Sequence, residues 1–282
     1  MTIKKFKPTS NASRDMTGIN YRKDLTKWKP HKALTRGVKN TAARNSDGRI
    51  TSRFRGGGNK RKFRIIDFKF DKRDIPAKIE SIEYDPFRTA FISLVVYADG
   101  ERRYILSIKG MKVGDKFIVS DGADLKTGNR MKLKNIPVGT VVHNVELKPG
   151  GGAKIARSAG SFVEIAAIDE DKVHLKMPSR EIRMVSAESF ATIGEVSNSD
   201  HKLVKLGKAG RKRHMRRRPK VRGSAMNPVD HPYGGGEGRG GVGMRRLKTK
   251  WGKPAGKGQK TRRAKKYSNT NILKHRNHKK RK

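Results

Sequence analysis

Between residues 63 and 200 the apolar positions fall into short runs, rich in β-branched and aromatic residues and separated by turn residues. Segments 63–70, 77–84, 91–97, 102–106 and 116–119 have the length and alternation of strands and are too short for helices. Asp99-Gly100, between the third and fourth runs, predicts a two-residue hairpin of type I′, because glycine readily takes the positive φ that turn demands. A second series follows residues 135–139, at 140–147, 161–168, 172–177, 181–185 and around 191–193. About ten strands spaced by turn signals predict an all-β chain. Their division near Asp121-Gly122 suggests two small barrels in tandem, with one large sandwich as the rival that periodicity leaves open. Residues 197–200 offer an N-cap for a short helix at 201–206, with Gly207 as its stop.

Charge changes this picture at both ends. Of a formal net charge of +44 over 282 residues, segment 1–62 carries +15, segment 63–200 only +2 and segment 201–282 carries +27. From Gly207 onward there are 13 glycines and only Tyr233, Trp251 and Tyr267 as aromatics, so this end cannot build a core of its own. The expected organisation is a basic N-terminal extension (1–62), a first barrel (63–122), a second barrel (123–200), and a short helix leading into a basic Gly-rich extension (201–282). Like charges repel, so both ends are expected to need a polyanion to become ordered. Nucleic acid is the first candidate, since neutralising phosphates releases counterions.

Other classes fit poorly. Without cysteine there are no disulfides or thiolate metal sites, which suits a reducing compartment. The basic start leads into Thr9-Ser10-Asn11 and not into an apolar signal core, and the most apolar run, 91–98, is too short to span a bilayer. A membrane surface is disfavoured because the ends lack an amphipathic stripe. His275 and His278 sit among cations with no acidic ligand nearby, so no metal site is expected there.

The densest basic cluster, 211–220, contains Arg211, Arg213, Arg216, Arg217 and Arg218, whose planar forks suit phosphate oxygens. Segment 53–62 brings Arg53, Arg55 and Lys60 beside Gly56, Gly57 and Gly58, and segment 148–160 places Lys154 and Arg157 among glycines. Glycine lets backbone amides approach an anion closely. For 148–160 an ordinary long hairpin loop is an equal alternative. In 221–239 the prolines at 228 and 232 stiffen the backbone around His231 before Gly234, Gly235 and Gly236, an odd order for a simple linker. Gly236–Gly241 formally matches a dinucleotide fingerprint but lacks the preceding strand, and Gln259 spoils a phosphate-loop match at 255–261. His231 beside Asp230 has the chemistry of an acid or base, yet no nucleophile accompanies it.

The run from Pro219 through Arg222-Gly223-Ser224-Ala225, Asn227-Pro228 and Asp230, continued by His231 to Arg239, resembles the signature of the bacterial-type ribosomal protein L2 family of the large subunit. Segments 45–51, 56–58, 84–86, 99–106, 135–139, 206–210 and 260–262 resemble it too, so the likeness spans nearly the whole chain. It implies an OB-fold barrel followed by an SH3-like barrel, with both extensions threaded into large-subunit ribosomal RNA. It also implies primary rRNA binding, support of subunit association, tRNA binding and assembly of the peptidyl-transferase centre, and a cytoplasmic ribosomal location. Arg222, Gly223, Asn227, Arg239, Lys260 and Arg262 join the expected RNA-binding residues through this likeness. His231 takes the position once proposed to take part in peptide-bond formation, chemistry the RNA performs. Tyr233 stands where many bacterial relatives have a second histidine, and tyrosine does not titrate near neutral pH. Expected partners are large-subunit rRNA, small-subunit rRNA at the intersubunit face and neighbouring ribosomal proteins. No cofactor is expected, with Mg²⁺ present only as an RNA counterion. A DNA-compacting histone-like protein is the rival binder, and an enzyme using His231 the rival catalyst.

Overall fold

A computed structural model describes residues 3–238, 241–256 and 262–276. The chain is all-β, with short helices only, and forms two compact units. The first comprises residues 1–40, 60–211 and 270–282, and holds both barrels.

The first barrel is built on a four-stranded antiparallel sheet in the order Arg102–Leu106, Ile92–Tyr97, Ala77–Glu83, Lys116–Phe117. Along Ala77–Glu83 the alternation of Ala77 and Ile79 inward with Lys78 and Glu80 outward gives way to buried residues at the Ile79/Ser81 bulge. Both faces of Ile92–Tyr97 are covered: Val95 and Tyr97 pack with Ile79 and Phe117, while Ile92 and Leu94 pack with Tyr104, Leu106 and Val196. Two-sided burial explains why this run lacks clean alternation. Ile66 pairs in parallel with Tyr104 and helps curl the sheet into an OB-fold-like half-barrel. The hairpin differs from its expected type. Gly100 N–H donates to Tyr97 O (2.9 Å), Tyr97 N–H donates to Glu101 O (3.0 Å), and Gly100 alone among the loop residues has positive φ, +82°. This is the three-residue loop with a left-handed glycine.

The SH3-like barrel follows as a seven-stranded sheet, every pair antiparallel: Ile272–Lys274, Ile182–Ser186, Lys172–Lys176, Val163–Ile168, Val141–His143, Phe190–Ile193, Arg130–Lys132. In Lys172–Lys176, Val173 and Leu175 point inward and Lys172 and Lys176 outward. They join Met131, Leu133, Val142, Val163, Ile165 and Ala191 in one core, where each fully buried aliphatic side chain contributes about 1.5–3 kcal/mol. Between the barrels Arg130, 1% exposed, donates to Glu146 Oε1 (3.0 Å), Asn144 O (2.7 Å) and Thr192 Oγ1 (3.3 Å), and its guanidinium lies 4.5 Å from the Phe70 ring centre. Glu146 Oε2 accepts from Gly150 N (3.1 Å) and Phe190 N (3.4 Å). Burial pushes Arg130 down to about 10, opposed by the Glu146 charge.

Three further expectations need correction. Segment 63–70 is not one strand: Lys62–Arg64 pairs with Thr35–Gly37, and then the Asp67 carboxylate accepts from the amides of Lys69 and Phe70 (both 2.9 Å), turning the chain. The helix at 201–206 is a 3₁₀ turn, Ser199–Leu203, because its prospective caps are engaged elsewhere: Ser197 Oγ accepts from Phe91 N and Asn198 Nδ2 donates to Thr89 O. The α-helix comes later, at Ala209–His214. Nor do the extensions wait unpacked for a polyanion throughout. Leu25 is buried in the first barrel's core, and the buried Tyr104 hydroxyl donates to Glu83 Oε2 (2.6 Å) while accepting from His31 N (2.8 Å). Burial and the Glu83 hydrogen bond raise the Tyr104 pKa, keeping that proton in place. Ile272–Lys274, from the other extension, adds the edge strand beside Ile182–Ser186.

The second unit comprises residues 41–59 and 212–269. Among its described residues no apolar side chain is fully buried. It is organised by backbone pairing and glycine.

Candidate nucleic-acid interface

In the second unit, residues 54–59 run antiparallel to 214–218: Gly56 N–H donates to Arg216 O (3.1 Å), Arg218 N–H to Phe54 O (3.0 Å) and Asn59 N–H to His214 O (3.4 Å). Glycine permits the approach. A Cβ on Gly58, whose φ is +60°, would stand 2.7 Å from His214 O, and one on Gly56 would press on the Arg218 side chain. The pairing creates a cavity of about 640 Å³ lined by Arg44, Arg53, Arg55, Arg218, Phe54 and the backbone of Gly56 and Gly57, with no carboxylate in its wall. Arg53 also stacks on Trp251 (5.3 Å to the ring centre), and Lys250 lies 5.4 Å from the same ring. The unit holds 23 Lys and Arg against three acids, Asp47, Asp230 and Glu237, so its positive field is scarcely compensated.

The His231 loop is a wound structure and not a linker. Asn227 O accepts from the amides of Asp230 (3.0 Å) and His231 (3.3 Å), Gly234 N–H donates to His231 O (2.8 Å), and Gly235 N–H to Met226 O (3.1 Å). Gly223 makes the seat of the imidazole, since a Cβ there would fall 2.5 Å from His231 Nδ1. His231 Nδ1 accepts from Tyr233 N (3.1 Å), which places the neutral ring's proton on Nε2, and the two rings lie 4.7 Å apart. The Tyr233 hydroxyl in turn accepts from Lys248 N. Nδ1 is thus committed to the backbone and the loop is organised around the ring. Gly236, with φ +121°, borders open space. Arg213, Arg217 and Arg222 are exposed. Arg262 donates to Asn269 Oδ1 (2.6 Å) and Ser268 Oγ (3.1 Å). Arg239 and Lys260, both expected RNA contacts, lie outside the described residues.

In the first unit the 148–160 loop is a hairpin of Val145–Glu146 and Ala153–Ile155 that folds back on the first barrel: Ala153 N–H donates to Phe68 O (2.7 Å), and a Cβ on Gly152 would stand 2.9 Å from that carbonyl. Gly152 serves this close packing, and Gly160 packs on Ser199 instead. Lys154 stays exposed, and Arg157 lies over the Phe68 ring at 4.5 Å. With Arg88 they line a carboxylate-free cleft of about 810 Å³ between the barrels, whose rim carries Thr89, Ser158 and Ser161. Lys60 is exposed at the edge of this unit. Arg211 is used internally, donating to the carbonyls of Thr17 (3.1 Å), Leu206 (3.3 Å) and Lys205 (3.4 Å).

Sequence reasoning missed Arg44, Arg88 and Trp251. Arg44 and Arg88 stand outside the Gly-rich clusters and only the fold brings them to a cavity. Trp251 carried a signal, a lone indole in a cationic segment.

Two small β-barrels with an acid-free cleft lined by Arg88, Lys154 and Arg157, together with a glycine-organised cationic unit, define a structural RNA-binding protein. Residues 31–120 match the family model described as Ribosomal Proteins L2, RNA binding N-terminal domain, and residues 126–252 match Ribosomal Proteins L2, C-terminal domain. The chain belongs to the ribosomal protein L2 family and is an rRNA-binding structural constituent of the large ribosomal subunit. No helix among the described residues is long and apolar enough to cross a membrane.

Proposed function

We propose that the chain is a primary rRNA-binding protein whose barrels dock on folded large-subunit RNA while the arginine cavity of the second unit grips phosphates, thereby supporting peptidyl-transferase assembly, tRNA binding and subunit association in a bacterial-type cytoplasmic ribosome. The observation that carries this reading is the carboxylate-free wall formed by Arg44, Arg53, Arg55 and Arg218 around the backbone of Gly56 and Gly57. Backbone amides and guanidinium forks together suit phosphate oxygens, and phosphate contacts set register on a folded RNA. Further contacts at the exposed arginines extend to small-subunit RNA and neighbouring ribosomal proteins, and Mg²⁺ shares the phosphate charge as a counterion. The RNA carries the peptidyl-transfer chemistry. His231, whose Nδ1 receives a backbone N–H, shapes its loop for that environment.

The test is rRNA binding at increasing salt. Replacing Arg53 and Arg218 with alanine should flatten the slope of log affinity against log salt by about 1 for each phosphate that is no longer neutralised. An unchanged slope, or equal affinity for duplex DNA at moderate salt, would overturn the proposal.

A further inference from the structure

Residues 3–30 lie outside both family matches, yet they build a groove of their own. Strand Ile3–Lys5 pairs with Thr17–Ile19, and Gly18 lets the Phe6 ring lie close over it, since a Cβ there would stand 3.3 Å from Phe6 Cε2. Helix Tyr21–Asp24 follows, with the Tyr21 ring edge-on to Tyr84 and Phe91 at 5.3 and 6.1 Å. The next residues are pinned to the first barrel: Leu25 is buried, Thr26 N–H donates to Ile82 O (3.0 Å), Ile82 N–H donates to Thr26 Oγ1 (2.9 Å), and the Lys27 backbone forms a parallel bridge with that of Glu83. Trp28 therefore stands on fixed backbone with 64% of its surface exposed. It walls a cavity of about 760 Å³ whose floor includes Phe6 and Tyr21. Every charged side chain lining that cavity is cationic: Lys4, Arg22 and Lys23. Asp24 does not line it, and its carboxyl is held above the usual range by burial and by the neighbouring Asp200.

An indole held out on rigid backbone, facing aromatic rings and ringed by cations, has the two elements that bind single-stranded nucleic acid: a stacking surface and a track for phosphates. Charge complementarity selects a polyanion, and the flat aromatic faces select one that carries bases. We infer that this groove holds an unstacked nucleobase from a single-stranded segment of RNA, stacked on Trp28, with the flanking phosphates on Lys4, Arg22 and Lys23. This rests on the rRNA-binding reading above and adds to it a base-stacking site separate in sequence from the arginine cavity.

The chain's two tryptophans report the two sites. In the full-length chain labelled with 5-fluorotryptophan, Trp28 and Trp251 give two fluorine resonances, assigned with Trp28→Phe. Short single-stranded RNA should move the Trp28 resonance, whereas RNA duplex of equal length and polyglutamate should leave it in place. Trp28→Ala should weaken binding of large-subunit rRNA at moderate salt by about 5- to 150-fold, the range expected for one stacked base, and Trp28→Phe should restore most of it. The inference is overturned by a Trp28 signal that does not respond to RNA, or by a Trp28→Ala affinity within about two-fold of the parent. An equal response to polyglutamate overturns it in favour of an acidic polypeptide. If rRNA moves Trp251 and not Trp28, this site alone falls; if it moves neither, the rRNA-binding reading falls with it.

Discussion

Replacing Glu146 with Gln tests whether the two barrels are fastened by a buried charge pair. Arg130 and Glu146 side chains are 1% and 3% exposed, so neither charge has water to fall back on. The substitution keeps the shape and the acceptor for Arg130 Nη2 but removes the compensating charge, leaving a buried cation. The amides of Gly150 and Phe190, which share Glu146 Oε2, would then face an amide group that can accept at only one of its two ends. Breaking one partner of a buried pair costs about 3–5 kcal/mol, and the Asn144 and Thr192 bonds that survive place this case toward the lower end, at about 3 kcal/mol. The expected result is a fall of that size in unfolding free energy by urea denaturation at pH 7. Because Phe70 and Phe190 come from the two barrels and both flank the guanidinium, amide exchange should also rise around both. The double replacement Arg130→Met, Glu146→Met should recover much of the loss, since it removes both charges together. A single-variant loss below about 1 kcal/mol would refute the argument, because it would mean the pair is already hydrated.

Three further outcomes follow from other parts of the molecule. His143 is fully buried with Nδ1 on Gly194 O (2.8 Å), and burial pushes it down to about 4. The unfolded imidazole therefore gains a proton first as pH falls: this contribution is full above about pH 6.5 and is lost toward pH 4, by about 3 kcal/mol in all, and His143→Asn should flatten that part of a stability-against-pH curve. Tyr104→Phe removes the donor to buried Glu83 and the acceptor for His31 N, so it should cost about 2–4 kcal/mol and speed exchange at the His31 amide, measured by hydrogen exchange. Gly58→Ala forces a strained φ and a clash with His214 O. It should free the Gly56 and Arg218 amides to exchange and weaken rRNA binding while leaving the barrel transition within about 0.5 kcal/mol of the parent; an unchanged exchange pattern would contradict the pairing described.

Where alternation reports one-sided burial, the strands were legible: 172–177 reads directly as Lys172–Lys176 with Val173 and Leu175 inward. Long-range competition for side chains was not legible. Asp67 ends its strand by capping two amides two and three residues on, and Ser197 and Asn198 leave their cap for Phe91 and Thr89. Both outcomes require knowing which backbone groups lie within reach after folding. Strand Ile272–Lys274 is three residues in a cationic tail, and only the exposed edge at Ile182–Ser186 gives it a partner. For the interface, the glycine and arginine of 53–58 come together in a backbone pairing that lines a cavity. The same composition at 148–160 led instead to Gly152 packed on Phe68, with Lys154 and Arg157 facing the cleft.

If the second unit binds RNA as proposed, the separation of charge along the chain makes its ordering depend on that RNA. Many acids of the barrels are paired with local cations, as in Arg103 with Asp67 and Glu101 or Lys134 with Glu188, which leaves segment 63–200 near neutrality. The second unit has neither an apolar core nor acids to offset its guanidiniums, so its ordering rests on backbone pairs that exchange one set of hydrogen bonds for another at little net gain. On the proposed reading, phosphate in the arginine cavity would remove the repulsion and favour the paired form over every unpaired one, making binding and ordering of 54–59 against 214–218 one equilibrium. It follows that substitutions which loosen the pairing without touching an arginine, Gly58→Ala foremost, should lower rRNA affinity while leaving the salt slope intact, whereas arginine substitutions lower both. Measured on the same RNA, that split distinguishes a glycine that shapes the site from a residue that contacts phosphate.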